Sequence, residues 1–161
     1  MLAVRLEVFR RWPSSTTAAR LHATAGDEWA AMHDEVTETL DARPRDAVVF
    51  SLHTLHDPQR AWAQANSLGL TDSSLWLDLI KRYEKIDRLA VLEPLTALTL
   101  SELENAGAAH YRTAARHLKR MRRLAAKTDR AGGVDALIAE LRHTHRNRPR
   151  MQTEFDKAGL P

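Results

Sequence analysis

The 161 residues predict an all-α protein, with antiparallel helical hairpins stacked side by side as a short α-solenoid of about ten helices. Three observations carry this. Apolar residues recur three and four positions apart along nearly the whole chain, while alternation with a period of two is almost absent. Only six Gly and six Pro occur, mostly where one periodic run ends and the next begins. The intervening turns hold two to five residues, and turns that short force neighbouring helices antiparallel.

The first helix spans Leu2 to Trp12, with Leu2, Val4, Leu6 and Phe9 inward, and Pro13 stops it. Ser14 or Ser15 caps a second helix that reaches about Thr24 and is closed by Gly26. Asp27, followed by Glu28-Trp29, places an acceptor and an early acid at a third start; Trp29, Met32 or His33, Val36 and Leu40 form that stripe. Pro44 opens the next helix, which uses Ala47, Val48, Leu52 and Leu55. Asp57-Pro58 combines a capping carboxylate with proline at the first helical position, where no N–H is needed. The helix it starts carries Ala61, Trp62 and Ala65 and ends at Gly69.

Thr71, Asp72 or Ser73 then opens a helix with Leu75, Trp76, Leu79, Ile80 and Tyr83 inward. Asp87 opens a longer one reaching about Asn105, in which Pro94 implies either a kink or a later start near Glu93. After the Asn105-Ala106-Gly107 turn comes the clearest helix, Ala109 to Thr128. Gly132-Gly133 breaks the chain before a helix marked by Val134, Leu137, Ile138 and Leu141. Pro149 ends that segment, and a last helix from Arg150 carries Met151 and Phe155 before Gly159. Trp29 and Trp62 lie 33 residues apart in similar alanine-rich settings, close to the ~34-residue tetratricopeptide period. The other arrangement with the same pairings is a compact irregular helical bundle.

At this length the chain is expected to form one domain, residues 1–161, either alone or as the C-terminal part of a longer protein. The absence of cysteine excludes disulfides, iron–sulfur ligation and thiolate zinc sites within these residues. No run of about 18 apolar residues occurs, so no membrane span is expected. The opening Met1-Leu2-Ala3-Val4-Arg5-Leu6-Glu7 lacks the basic-then-apolar pattern of a leader, which makes the cytoplasm the expected compartment.

Charge is distributed unevenly. Residues 1–80 carry 7 basic and 11 acidic side chains, a net of −4, and residues 81–161 carry 17 and 10, a net of +7. The window 110–150 alone has 12 basic and 3 acidic residues. At about 100° per residue, Tyr111, Ala114, Ala115, Leu118, Met121 and Ala125 fall on one face of the 109–128 helix. Arg112, Arg116, Lys119, Arg120, Arg123 and Lys127 fall on the opposite face as a continuous basic stripe. Such a stripe either neutralises an anionic partner such as nucleic acid, one phosphate per cation, or is a solvated outer face paired with acids on a neighbouring helix. It contains no aromatic residues for base stacking. A second basic cluster, His143-Thr144-His145-Arg146-Asn147-Arg148-Pro149-Arg150, sits at a helix end, where cations complement the dipole without any ligand; Arg146, Arg148 and Arg150 are its candidate anion contacts.

Catalytic signals are missing. His53 and His56, at i and i+3, offer only two imidazoles, and Asp57 is better used as a cap than as a third ligand. No Ser-His-Asp grouping, Gly-rich phosphate loop or paired-carboxylate pattern is legible, so neither enzyme activity nor a metal or cofactor is expected. Trp12, Trp29, Trp62 and Trp76 read as hairpin core. Within Leu75-Trp76-Leu77 one side chain must face outward, and an exposed Trp76 would serve as a partner anchor.

The segments Tyr111-Arg112-Thr113-Ala114-Ala115-Arg116-His117-Leu118-Lys119-Arg120-Met121-Arg122, Leu137 to Arg150, and Phe155-Asp156-Lys157-Ala158-Gly159-Leu160 resemble the tail of bacterial SWIM zinc-finger proteins. Arg5 to Arg11 and Ala61-Trp62-Ala63-Gln64-Ala65 fit the same region. The resemblance implies a helical, tetratricopeptide-like companion to a zinc module. That module's C-x-C…C-x-H ligands have no counterpart here, because the chain has no cysteine. The functional expectation is a non-catalytic helical-repeat interaction module that holds a protein or peptide; the alternative is an accessory nucleic-acid-binding domain using residues 112–127.

Overall fold

Helices and turns without any strand make up the computed structural model, which describes residues 1–161. Nine α-helices have nine or more residues, and one six-residue helix runs on into a wider π turn. No helix is long and apolar enough to cross a membrane. The residues pack as two compact units, Met1–Tyr83 and Glu84–Pro161.

The first unit holds α1 (Leu2–Arg11), α2 (Ser15–Ala25), α3 (Trp29–Asp41), α4 (Pro44–Val49), α5 (Pro58–Ser67) and α6 (Ser73–Tyr83). Its start signals are side-chain hydrogen bonds. The Ser14 hydroxyl accepts the Thr17 N–H while Thr17 Oγ1 accepts the Ser14 N–H, a reciprocal cap that satisfies two orphan donors. Asp57 Oδ1 accepts the Arg60 N–H with Pro58 at the first position of α5. Asp72 Oδ1 accepts the Leu75 N–H at 3.0 Å and its other oxygen takes Arg45 Nε–H, and together these hold the carboxyl below its ordinary range. Asp27 caps nothing; it lies in a 3₁₀ turn, Gly26–Glu28, between α2 and α3.

Two apolar clusters fill this unit, and Pro44–Thr54 serves both. Ala47 and Phe50 pack with Phe9, Ala18, Leu21, Val36 and Leu40. Val48 and Leu52 pack with Ala61, Ala65, Leu70, Leu75 and Leu79. Burial on two sides fits the apolar block Ala47-Val48-Val49-Phe50, which is followed by buried Ser51 and Leu52. It also widens: the Leu55 N–H reaches back to the Phe50 carbonyl, five residues earlier. That turn replaces the full-length helix expected after Pro44.

Two expected inward residues point out. Val4 is 63% exposed, because it lies about 200° around α1 from Leu2. Trp12 is 62% exposed, since the backbone leaves the helix there at φ −132°, and the Arg11 guanidinium sits 5.4 Å from its ring centre. The other three tryptophans do pack: Trp29 lies against His22 and Phe50, and Trp62 stacks on Tyr83 with ring centres 4.2 Å apart and meets Trp76 edge-on.

The second unit holds α7 (Leu92–Leu103), α8 (Ala108–Ala125), α9 (Ala131–Thr144) and α10 (Pro149–Lys157). Asp87 closes a turn instead of opening a helix, its carboxylate accepting the Leu89 and Ala90 N–H groups. α7 starts late, so Pro94 falls in the first turn, where a missing N–H costs nothing. Gly132 and Gly133 lie inside the first turn of α9, which is held by burial of Val134, Ile138 and Leu141 further along. α8 packs against α7, α9 and α10. Its inward face buries Tyr111, Ala114, Ala115, Leu118, Met121 and Ala125 as the periodicity predicts, and His117 as well.

Candidate functional site

α8 has one wall buried and one wall of cations, and the cation wall is the candidate site. Arg112, Arg116, Lys119 and Arg123 are exposed along it. Arg120, half-buried, donates through Nε (3.1 Å) and Nη2 (2.8 Å) to Glu84 Oε2, and Arg123 Nη2 lies 3.9 Å from Glu84 Oε1. Lys127 is not on the helix: α8 ends at Ala125, Ala126 is extended, and Lys127 has φ 61°. The predicted stripe of six is therefore three cations in line without a carboxylate, two that share Glu84 (Arg120 closely, Arg123 at 3.9 Å) and one beyond the end.

α10 provides a second wall. A groove of about 460 Å³ runs between the two helices, with Arg112, Arg116, Lys119 and Lys157 at its rim and Ala109, Ala115 and Ala158 in its lining. Lys119 and Ala158 also line an adjoining hollow of about 410 Å³, where Arg122, Arg123, Ala126, Ala131 and Asp135 join. The acids on these walls are already partnered. Asp135 accepts from Arg122 at 2.8 Å, and Glu154 faces Lys157 at 3.6 Å. No carboxylate lies within ion-pair reach of Arg112, Arg116 or Lys119, and the Arg116 guanidinium meets only the Thr113 hydroxyl. By contrast, Arg10, Arg45, Arg82, Arg120, Arg122 and Arg142 each hold a carboxylate.

Arg142 fixes the far end of the groove. Its guanidinium donates to the carbonyls of Pro161 (2.6 Å) and Leu160 (3.1 Å), to Gln152 Oε1 and to Asp156, with Phe155 5.5 Å beneath it. This clasp holds Ala158–Leu160 against α8, where they line the hollow. Sequence reasoning missed Lys157 and Arg142 because their roles depend on how α10 docks. The one available signal was the alternation of apolar Met151 and Phe155 with charge in the last helix.

The second predicted basic cluster does not converge on the groove. Arg148 is used structurally, donating to the Leu103 carbonyl at 2.8 Å, and Arg146 donates to the His143 carbonyl in its own turn. Arg150 is exposed in the first turn of α10. Trp76, the candidate anchor, is half-buried and its indole N–H donates to the Leu70 carbonyl at 2.7 Å, so its polar end is satisfied within the first unit. His53 pairs with Asp78 at 2.8 Å, and no set of three His, Asp or Glu side chains converges as a metal site. No protein-family model, curated protein or solved structure matches the chain.

Proposed function

We propose that this protein is a non-catalytic helical interaction module that captures an anionic partner along the α8–α10 groove. In this reading the helical hairpins form a tetratricopeptide-like scaffold related to the helical region of bacterial SWIM zinc-finger proteins. One observation carries the functional part: Arg112, Arg116 and Lys119 stand in line at a groove rim with no carboxylate partner, while the other arginines nearby are neutralised. Uncompensated cations over an apolar floor raise the local concentration of anions and set the direction of approach. The titratable groups that meet closely elsewhere do so as structural pairs, which supports binding over chemistry.

The second reading is an accessory nucleic-acid-binding domain that uses residues 112–127. It draws on the same stripe, but Glu84 occupies Arg120, Lys127 has left the line, and no aromatic ring lines the groove for base stacking. The test of both is equilibrium binding of the whole chain to fluorescent acidic peptides and to duplex DNA at increasing salt. With about four cations engaged, duplex affinity should fall about a hundredfold between ~50 and ~200 mM salt. Arg112→Glu with Arg116→Glu should abolish capture of either probe. Failure of every anionic probe to bind at low salt would overturn the proposal.

A further inference from the structure

Resting on that reading, we infer that the groove's occupant is an acidic amphipathic helix of a protein partner, lying alongside α8 with its carboxylates in register with the cations. Spacing along α8 selects the shape of the occupant. Arg112, Arg116, Lys119 and Arg123 sit at i, i+4, i+7 and i+11, which places them about 0, 6.0, 10.5 and 16.5 Å along the axis. A second helix has the same rise, so carboxylates at its own i, i+4, i+7 and i+11 meet all four cations from a single face. An extended strand would need positions 0, 2, 3 and 5 to span those distances, and these fall on opposite faces of the strand. A duplex strand advances about five base pairs over 16.5 Å. That is half a turn, so its phosphates wind away from a straight row.

The floor points the same way. Ala109, Ala115, Ala126, Ala131 and Ala158 line the two hollows, and side chains this small allow another helix to approach at the short end of the usual 8–10 Å interaxial range. Ala109 and Ala126 are exposed and Ala131 and Ala158 half-buried, so their methyl groups offer a partner apolar contact, a feature a phosphate chain does not use. Charge complementarity and groove shape therefore specify the same partner: acidic on one edge, apolar and small on the next.

The experiment compares three probes on the whole chain by fluorescence anisotropy at about 50 mM salt. They are a helix-forming peptide of about 18 residues with Glu at i, i+4, i+7 and i+11 beside an alanine/leucine face, its composition-matched scramble, and a duplex of similar charge. The patterned peptide should bind at least about tenfold tighter than the scramble. Arg116→Glu should cost it about tenfold or more without changing the thermal unfolding of the protein. A peptide carrying Lys in place of the Glu opposite that position should recover the loss, an outcome a merely unfolded variant cannot produce. Equal binding of pattern and scramble, or tighter binding of the duplex, would overturn the helical occupant while leaving the anion-capture function intact. No binding by any of the three would overturn both.

Discussion

Replacing Glu84 with Gln should move stability and binding in opposite directions. Glu84 receives two donors of Arg120 on one oxygen, at 3.1 and 2.8 Å, and faces Arg123 at 3.9 Å from the other. The paired side chains are only 24% and 18% exposed. Fully exposed pairs contribute about 0.2–1 kcal/mol, and hydrogen bonds to charged groups about 1.5–3 kcal/mol. At this partial burial the pair should contribute about 1–2 kcal/mol. For a chain of this size that corresponds to a Tm lower by about 2–8 °C. The same substitution removes the only carboxylate opposing Arg120 and Arg123, which adds to the stripe about one exposed ion pair's worth of attraction. An acidic ligand should then bind about two- to fivefold tighter. Circular dichroism melting gives the first quantity and peptide anisotropy the second. Weaker binding by Glu84→Gln, or a vanishing coupling in the Glu84→Gln/Arg120→Gln double-mutant cycle, would refute the reasoning.

Phe155→Ala should destabilise the second unit by about 3–5 kcal/mol in urea denaturation, because the ring is fully buried and supports Arg142. The groove should be lost with it, since α10 forms one wall. Burial holds the His117 imidazole below its ordinary value, with Arg116 and Arg120 acting in the same direction and Glu102 against it. The unfolded chain therefore takes up a proton near pH 6.5 that the folded unit refuses. The stability from a neutral His117 is complete above that pH and declines as pH falls toward the folded imidazole's own titration. His117→Gln should flatten that dependence in melts between pH 7 and about 5. Trp12→Ser should change stability by no more than about 0.5 kcal/mol, whereas Trp62→Ala should cost about 2 kcal/mol or more through its lost stack on Tyr83. Equal costs for the two tryptophans would contradict the packing described.

The helices were legible wherever local chemistry decides them. Asp57-Pro58 and Ser14 start helices by bonds made within four residues, and the inward face of α8 follows from periodicity alone. The misreadings fall at helix ends, where a boundary residue admits more than one role. Trp12 reads as core by composition, yet one dihedral outside the helix turns it to solvent. Asp87 and Gly132-Gly133 carry ordinary boundary signals, but α7 takes the later start near Glu93 that Pro94 also allowed, and Gly132-Gly133 lie inside the first turn of α9. At the site, the cationic stripe itself was visible in the spacing from Arg112 onward. What was not visible is which of those charges are already neutralised. Glu84 lies 36 residues before Arg120, and only the packed unit brings them together. The α10 wall, with Lys157 and the Arg142 clasp, is equally a product of docking.

The central claim is that the α8–α10 groove is where this protein holds an anionic partner. Amide chemical-shift mapping of the ¹⁵N-labelled chain, titrated with the patterned acidic peptide, addresses it directly. Shifts confined to Ala109–Arg123 and Glu154–Leu160, lost in the Arg112→Glu/Arg116→Glu protein, are the expected result. Shifts centred on the first unit, or an unperturbed α8 at saturating peptide, would contradict the account.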